Sequence, residues 1–302
     1  MKIISHSADN DGMLSAYLVG RYLNAYYPED YILTDYGDHT DIFSQIKKNE
    51  KVYVCDFSFE NGPEDMKKLL EITKDVVWID HHESSIKAYG EFGKDIPGLR
   101  IVGTAACMLV WFWFNLDKDI LENLTQEECE KHYKEAPLVV QLVHDNDVWR
   151  HDDPRSIVFK VAMDMEDTQP YGSGIWNYLY TTYIPEGNKN IGEYLEKGEI
   201  ALKYRDSLGK HACDSYGFEC EVNGYKGYAL NIPFGGSPWF GDLIDKYDFV
   251  CPFHYKKNGQ WGYSFYSRKD GGANCYELAK FINPKGGGHY HAAGCVSDEL
   301  IF

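Results

Sequence analysis

The sequence is short of positive charge. Its 30 Lys and Arg stand against 47 Asp and Glu, a net charge of −17 over 302 residues. Stable binding of long nucleic acid by phosphate neutralisation calls for a basic surface, so that mode is excluded as an expectation. Small phosphorylated substrates are not excluded, because clustered acids can hold divalent cations that in turn hold phosphate. Paired cysteines are also missing. The eight cysteines lie at 55, 107, 129, 213, 220, 251, 275 and 295 with no C-x-x-C pair, which argues against a zinc ribbon or a disulfide scaffold and for reduced thiols. There is no membrane-length apolar run: the segment 105–116 is too short and reads as a buried helix. Met1 to His6 move straight into a strand-like run with no signal-peptide core, so a cytoplasmic protein with no membrane partner is expected. No serine or cysteine stands in a recognisable nucleophile setting, which leaves acyl-enzyme chemistry unsupported.

What is present is an ordinary globular composition, 44% hydrophobic and 25% charged, in a chain long enough for two domains. Lys2 to Ser5, Tyr31 to Tyr36, Lys51 to Cys55 and Val76 to Ile79 are short apolar or β-branched runs that predict strands. Helices are expected over Met13 to Tyr27 and Pro63 to Ile72, and over Ala105 to Leu116 with Thr104 as N-cap. A further helix is expected to start at Gln126, capped by Thr125. This alternation predicts an α/β fold whose N-terminal sheet is mainly parallel, with flanking helices. Pro170, Gly172, Gly174, Pro185 and Gly187 mark the stretch 169–190 as irregular connection. A charged amphipathic helix over Ile191 to Leu208 then leads to strands at 219–222, 226–230, 249–255 and 261–266 and a helix over Cys275 to Phe281, a smaller α/β unit. The expected division is 1–185 for the first domain, 186–212 for a linker helix and 213–302 for the second domain.

The chemistry-bearing side chains gather at four expected strand ends, with the run 137–143 read as the last of these strands. His6, Asp9 and Asp11 follow the first, Asp56 the third, Asp80, His81 and His82 the fourth, and Asp145 and Asp147 the run 137–143. Each group alone has a plain reading as a polar turn or helix cap. Together, at the C-terminal edge of a parallel sheet, they would converge on one place. A mixed imidazole and carboxylate set suits Mn²⁺ or a similar divalent ion better than Ca²⁺ or a thiolate zinc site. With this many ligands, two ions sharing a carboxylate are the natural arrangement, and such a pair activates water and clamps a phosphoryl group. Near the C-terminus, Gly286, Gly287 and Gly288 let backbone N–H groups approach an anion, with His289 as an added donor; the alternative is a tight turn between a helix and a last strand.

The set Asp9-Asn10-Asp11-Gly12, Asp56, Asp80-His81-His82 and Asp147, followed by Gly286-Gly287-Gly288-His289 and Ala292-Ala293-Gly294, resembles the DHH phosphoesterase superfamily with its associated C-terminal domain, most like its nano-RNase branch. The resemblance implies that His6 and Asp9 bind one metal and that Asp11, His81 and Asp147 bind the other, with Asp145 the alternative to Asp147. It implies that Asp56 bridges the two together with the nucleophilic water. His82 would contact the scissile phosphate, and Asp80 would orient the neighbouring imidazoles. His289 and the glycines before it would grip a phosphate or a terminal nucleotide, with Arg268 as a further substrate contact. Where some members carry Ser-x-Arg-Ser, this chain has Ser264-Phe265-Tyr266-Ser267, so Tyr266 either stacks on a base or fills space.

The resulting expectation is a phosphodiesterase with two divalent metal ions, Mn²⁺ foremost, acting on short oligoribonucleotides or small cyclic or linear nucleotides. An inorganic pyrophosphatase or polyphosphatase on the same site, and a non-catalytic nucleotide-sensing module, are the alternatives. Assembly as a homodimer is left open.

Overall fold

The computed structural model describes all residues except 36–39, 172–173, 182–188 and 234. The chain divides into two compact units, Met1–Glu199 and Ile200–Phe302. The first unit begins with β1 (Lys2–His6), α1 (Asn10–Leu23), β2 (Tyr31–Thr34), β3 (Val52–Cys55), α2 (Pro63–Ile72), β4 (Val76–Ile79) and α3 (Glu83–Lys94). It continues as helices α4 (Ala106–Asn115), α5 (Lys118–Leu121), α6 (Gln126–His132), α7 (Leu138–Asp147), α8 (Arg155–Met163) and α9 (Ile175–Thr181). Helix α10 (Lys189–Tyr216) carries the chain across the division. The second unit holds β5 (Phe218–Val222), β6 (Tyr225–Asn231), α11 (Leu243–Lys246), β7 (Phe249–Tyr255), β8 (Trp261–Tyr266), α12 (Cys275–Ile282), β9 (Gly287–Gly288) and β10 (Ala292–Ser297).

The N-terminal sheet has the order β2-β1-β3-β4, and every pairing in it is parallel. Its strands read as unbroken apolar runs because both faces are covered. Ile3, Tyr53, Cys55, Val77 and Ile79 pack with residues of α1, α4 and α7, whereas Ile4, Val54, Val76 and Trp78 pack with residues of α2 and α3 on the other face. The chain leaves β1 for β2 on one side and returns to β3 on the other. The direction of winding therefore reverses between β1 and β3, which opens a crevice at their C-terminal ends.

Several local expectations are corrected. The run 137–143 is not a strand but the start of α7: Pro137 stands at its N-cap position, and Val139, Val140, Leu142 and Val143 form a buried helical stripe. Within 169–190, expected to be irregular, α9 buries Ile175, Trp176 and Leu179. Helix α1 starts earlier than expected, at Asn10, because the Asp9 carboxylate accepts from Gly12 N–H at 3.0 Å and caps it. The linker helix is longer than the run 191–208, and the unit division falls inside it. Thr125 does cap α6, accepting from Glu128 N–H. The end of the second expected strand, Tyr36, lies outside the described residues.

The second unit is a six-stranded mixed sheet in the order β5-β6-β7-β8-β10-β9, with β6 and β7 parallel and the other pairs antiparallel. Helix α12 covers one face, packing Leu278 and Ala279 near Phe249, Phe253 and Phe265. Leu230 and Val250 on the other face meet Cys213 of α10 and Phe240, with Tyr266 packed against them. Among the described residues no helix is long and apolar enough to cross a membrane.

Candidate metal centre

The crevice between β1 and β3 is where the acids and imidazoles meet. His6 is the last residue of β1. Gly12 lets the first turn of α1 close over it: a Cβ on Gly12 would stand 2.2 Å from the His6 carbonyl oxygen. Ser5 Oγ ties the two elements together, 2.7 Å from Gly12 O and 3.0 Å from Cys55 O. At the end of β3 the backbone of Asp56 turns to φ 51°, a left-handed conformation that aspartate tolerates better than most residues. This turn aims its carboxylate into the crevice, where it is buried.

Three carboxylates converge on one ring nitrogen. His81 Nε2 lies 3.3 Å from Asp56 Oδ1, 3.5 Å from Asp147 Oδ2 and 3.6 Å from Asp11 Oδ2. With bonds of about 2.0–2.2 Å, neighbouring donors around one first-row cation stand about 2.8–3.6 Å apart between octahedral and tetrahedral geometry, so these spacings, at the wide end, are compatible with a shared ion. Two of the oxygens, Asp56 Oδ1 and Asp147 Oδ2, are buried without a hydrogen-bond donor. Burial, followed by the neighbouring carboxylates of Asp11 and Asp9, pushes both carboxyl pKa values well above the usual range. A divalent cation answers both conditions at once.

The donor atoms form three overlapping groups: Asp11 with His81 and Asp147, His6 with Asp9 and Asp56, and Asp56 with His81 and His82. Asp56 belongs to two of them, and so does His81. His6 Nδ1 is 3.1 Å from Asp9 Oδ2, and its Nε2 is 2.9 Å from Asp35 Oδ1. Burial alone would lower the His6 pKa, but the two flanking carboxylates raise it overall. Asp35 was not foreseen. Its only sequence signal is an acid at the end of β2, the strand beside β1. The thiols of Cys55 and Cys107, close to these acids, are pushed up by burial and by the neighbouring carboxylates.

Asp80 is buried and surrounded by donors: His81 N–H at 2.8 Å, His82 N–H at 3.2 Å, Trp78 Nε1–H at 3.3 Å and His82 Nδ1 at 2.7 Å. It thus orients the His82 ring directly and reaches His81 only through the backbone. The contact with Asp80 raises the His82 pKa against the opposing effect of burial.

Asp11 has a second role. Its two oxygens accept from Ala106 N–H at 2.8 Å and Cys107 N–H at 2.7 Å, so Asp11, and not Thr104, caps α4. The acid pair at the end of α7 divides in the same way. Asp145 accepts from Asp152 N–H at 3.1 Å and Asp153 N–H at 3.4 Å, shaping the entry to α8, whereas Asp147 faces His81. His144 is no ligand: its Nδ1 accepts from Ala105 N–H, and burial pulls its pKa down to about 3. A pocket of about 280 Å³ adjoins the cluster, lined by Asp9, Asp11, Asp147 and, farther out, Lys160 and Thr168.

In the second unit, Gly286 and Gly288 are glycines for packing reasons. A Cβ on Gly286 would stand 2.6 Å from Ala279 O, and Gly288 has φ 134° with Ala293 Cα 2.5 Å from its would-be Cβ. Gly287 is exposed and a Cβ there would meet nothing, and His289 is exposed beside it. The turn reading of the loop holds, since β9 and β10 pair through Gly287 and Gly288, and Gly287 alone of the three has no packing reason to be glycine. Arg268, expected at the substrate, donates to the carbonyl oxygens of Asp270, Asp245 and Tyr247, which makes it a clamp on its own loop.

Residues 1–133 match the DHH family, N-terminal domain. A search of the curated proteins found no match. Among solved structures, the DHH domain of a member of the s1p family of ribosomal proteins is 13% identical with a TM-score of 0.59, over 98% of this chain and 82% of that one. The exonuclease RecJ bound to manganese is 14% identical with a TM-score of 0.50, over 98% of this chain and 85% of that one. At these identities the likeness is one of fold. It extends over both units; the motif residues from His6 to His82 fall inside the DHH match, and Asp147 lies beyond it.

Proposed function

We propose that the chain is a two-metal phosphodiesterase that hydrolyses short oligoribonucleotides or small cyclic or linear nucleotides. The observation that carries this reading is the convergence of Asp11, Asp56 and Asp147 on His81 Nε2, with Asp56 shared with the His6 and Asp9 group. Asp11, His81 and Asp147 would hold one divalent ion and His6 and Asp9 the other, with Asp56 within reach of both groups. The imidazole and carboxylate set favours Mn²⁺, in keeping with the manganese of the RecJ neighbour. When bound, such ions lower the pKa of a coordinated water and offset charge on a phosphoryl group.

The remaining steps belong to the chain's own residues. Asp80 fixes the His82 ring through Nδ1 and holds it cationic to higher pH. His82 then donates to a phosphoryl oxygen and offsets the negative charge that grows there. Asp35 keeps Nε2 of His6 occupied, which leaves Nδ1 on the side of Asp9. The N–H of Gly287, with no side chain to shield it, and the His289 ring grip the terminal phosphate or nucleotide. Arg268 is left out of the substrate contacts because its Nε and Nη1 donors already face carbonyls. A net charge of −17 fits a small substrate gripped at one end in the cytoplasm and not a long nucleic acid.

The test is an assay of the purified protein with Mn²⁺ against dinucleotide RNA, cyclic mononucleotides, cyclic dinucleotides and pyrophosphate. Turnover of a diester, lost in D56N, is the expected result. Turnover of pyrophosphate alone would replace the diesterase reading with the pyrophosphatase one, and no turnover of any substrate would leave a binding module.

A further inference from the structure

A second cavity, of about 490 Å³, lies on the first unit where α3 meets the segment 98–101 and the 121–124 region. Leu99, Ile101, Leu121 and Leu124 supply apolar wall, and the charged groups that line it are all cationic: Lys87, Lys94 and Arg100. No Asp or Glu lines it among the described residues, in a chain where acids outnumber bases 47 to 30.

Arg100 is the telling member. It is partly buried, its guanidinium lies 5.3 Å from the Trp78 ring centroid, and Nη1 donates to Trp78 O at 3.0 Å. No carboxylate pairs with it among the described residues, although a guanidinium carries five donors in a planar fork. Burial lowers its pKa, with the field of Asp80 opposing. Two lining glycines have unusual backbone geometry. Gly90 breaks the course of α3 with φ 51°, and a Cβ there would meet nothing. Gly98, at φ 131°, lets its strand-like segment press onto β4, where a Cβ would stand 2.0 Å from Trp78 O. A desolvated cation with unspent donors, set in apolar wall at this volume, has the make-up of a small-ligand site.

We propose that this cavity binds a small organic anion, its phosphate or carboxylate on Arg100 and its apolar body against Leu99, Ile101, Leu121 and Leu124. The site is separate from the acidic cluster but shares Trp78 with it: the indole N–H that donates to Asp80 belongs to the ring beneath Arg100.

The test uses the full chain in EDTA, where the acidic cluster repels anions, so its outcome does not depend on the phosphodiesterase reading. Phenyl phosphate, benzoate, inorganic phosphate and phenol are titrated by calorimetry and ligand-observed NMR. Phenyl phosphate or benzoate binds at one site, and whichever binds more tightly names the anionic group. Phenol and inorganic phosphate each bind at least about tenfold more weakly, since each lacks one half of the contact. R100Q weakens the organic anion about tenfold or more, and L124W, which puts a larger side chain into the apolar wall, weakens it by a similar factor. The Trp78 indole N–H resonance shifts with saturation. The proposal is overturned if neither organic anion binds at millimolar concentration, or if binding survives both R100Q and L124W. Equal binding of inorganic phosphate and phenyl phosphate overturns the apolar half of the site.

Discussion

In the absence of metal, replacing Asp56 by Asn should stabilise the fold while it destroys the site. Asp56 Oδ1 is buried without a hydrogen-bond donor and is crowded by Asp11, Asp9 and Asp147. Its backbone sits at φ 51°, which asparagine accepts, so the substitution removes charge without adding strain, as alanine there would. An unsatisfied buried group of this kind costs about 1–3 kcal/mol. For a unit of 199 residues each kcal/mol moves the melting temperature by about 2–4 °C, so in EDTA at pH 8 D56N should melt roughly 2–12 °C higher. The pH dependence has a definite sign. Asp56 and Asp147 hold their protons to higher pH in the folded chain than in the unfolded one. Their contribution is therefore most favourable below the unfolded value of about 3.9 and is lost as pH rises through the raised folded values, at about 1.4 kcal/mol for each tenfold difference in proton affinity. The chelated wild type should lose melting temperature with rising pH more steeply than D56N does. Mn²⁺ at a hundred times its dissociation constant should restore about 2.7 kcal/mol to the wild type and far less to D56N. Differential scanning calorimetry from pH 5 to pH 8, with EDTA and with Mn²⁺, reads all of this. A D56N protein that melts below the wild type in EDTA with an unchanged pH slope would refute the argument.

His81 and His82 separate by readout. H81A should weaken Mn²⁺ binding by more than the roughly 10–100-fold typical of an outer partner, measured by calorimetry. H82A should leave that affinity within a few fold and lower turnover about 10²–10⁴-fold. D145A should cost about 1–2 kcal/mol in denaturant unfolding, by orphaning the N–H groups of Asp152 and Asp153, and leave the Mn²⁺ affinity unchanged. In the glycine loop, G288A should destabilise the second unit by at least about 1 kcal/mol, since its φ of 134° and the nearness of Ala293 exclude a side chain. G287A should melt like the wild type, so a raised KM in that variant reports a substrate contact and an unchanged KM removes the loop from the proposed site.

The parallel strands were legible because a doubly covered strand has to be apolar at every position, and β3, β4 and α2 lie within a residue of where those runs place them. The site residues at strand ends were legible for a related reason: a polar group directly after a buried strand has nowhere to go but the sheet edge. Helix α7 was not. Its β-branched run, followed by acids, imitates a strand, and it is the packing against α1 and α4 that makes it helical. Helix α9 was hidden by the prolines and glycines around it, although Ile175, Trp176 and Leu179 already had helical spacing. Asp35 could not be read at all, since an acid at the end of β2 gains its meaning only once β2 lies beside β1.

The double duty of Asp11 explains how three carboxylates, two of them buried, can share so small a space. Its oxygens take the first free N–H groups of α4, 95 and 96 residues away, so the positive end of that helix is turned onto the acidic cluster. One of the three charges is thereby met by the fold itself. The need for a cation falls on Asp56 and Asp147, the two whose oxygens lack donors. Asp9 is in the opposite position: half exposed, already capping α1 and already beside His6. On the proposed reading the two ions are therefore not equivalent. An ion at His81 would answer the oxygens of Asp56 and Asp147 that lack donors, whereas one at His6 and Asp9 would have to compete with contacts the protein already has, so the His81 position would be the tighter of the two.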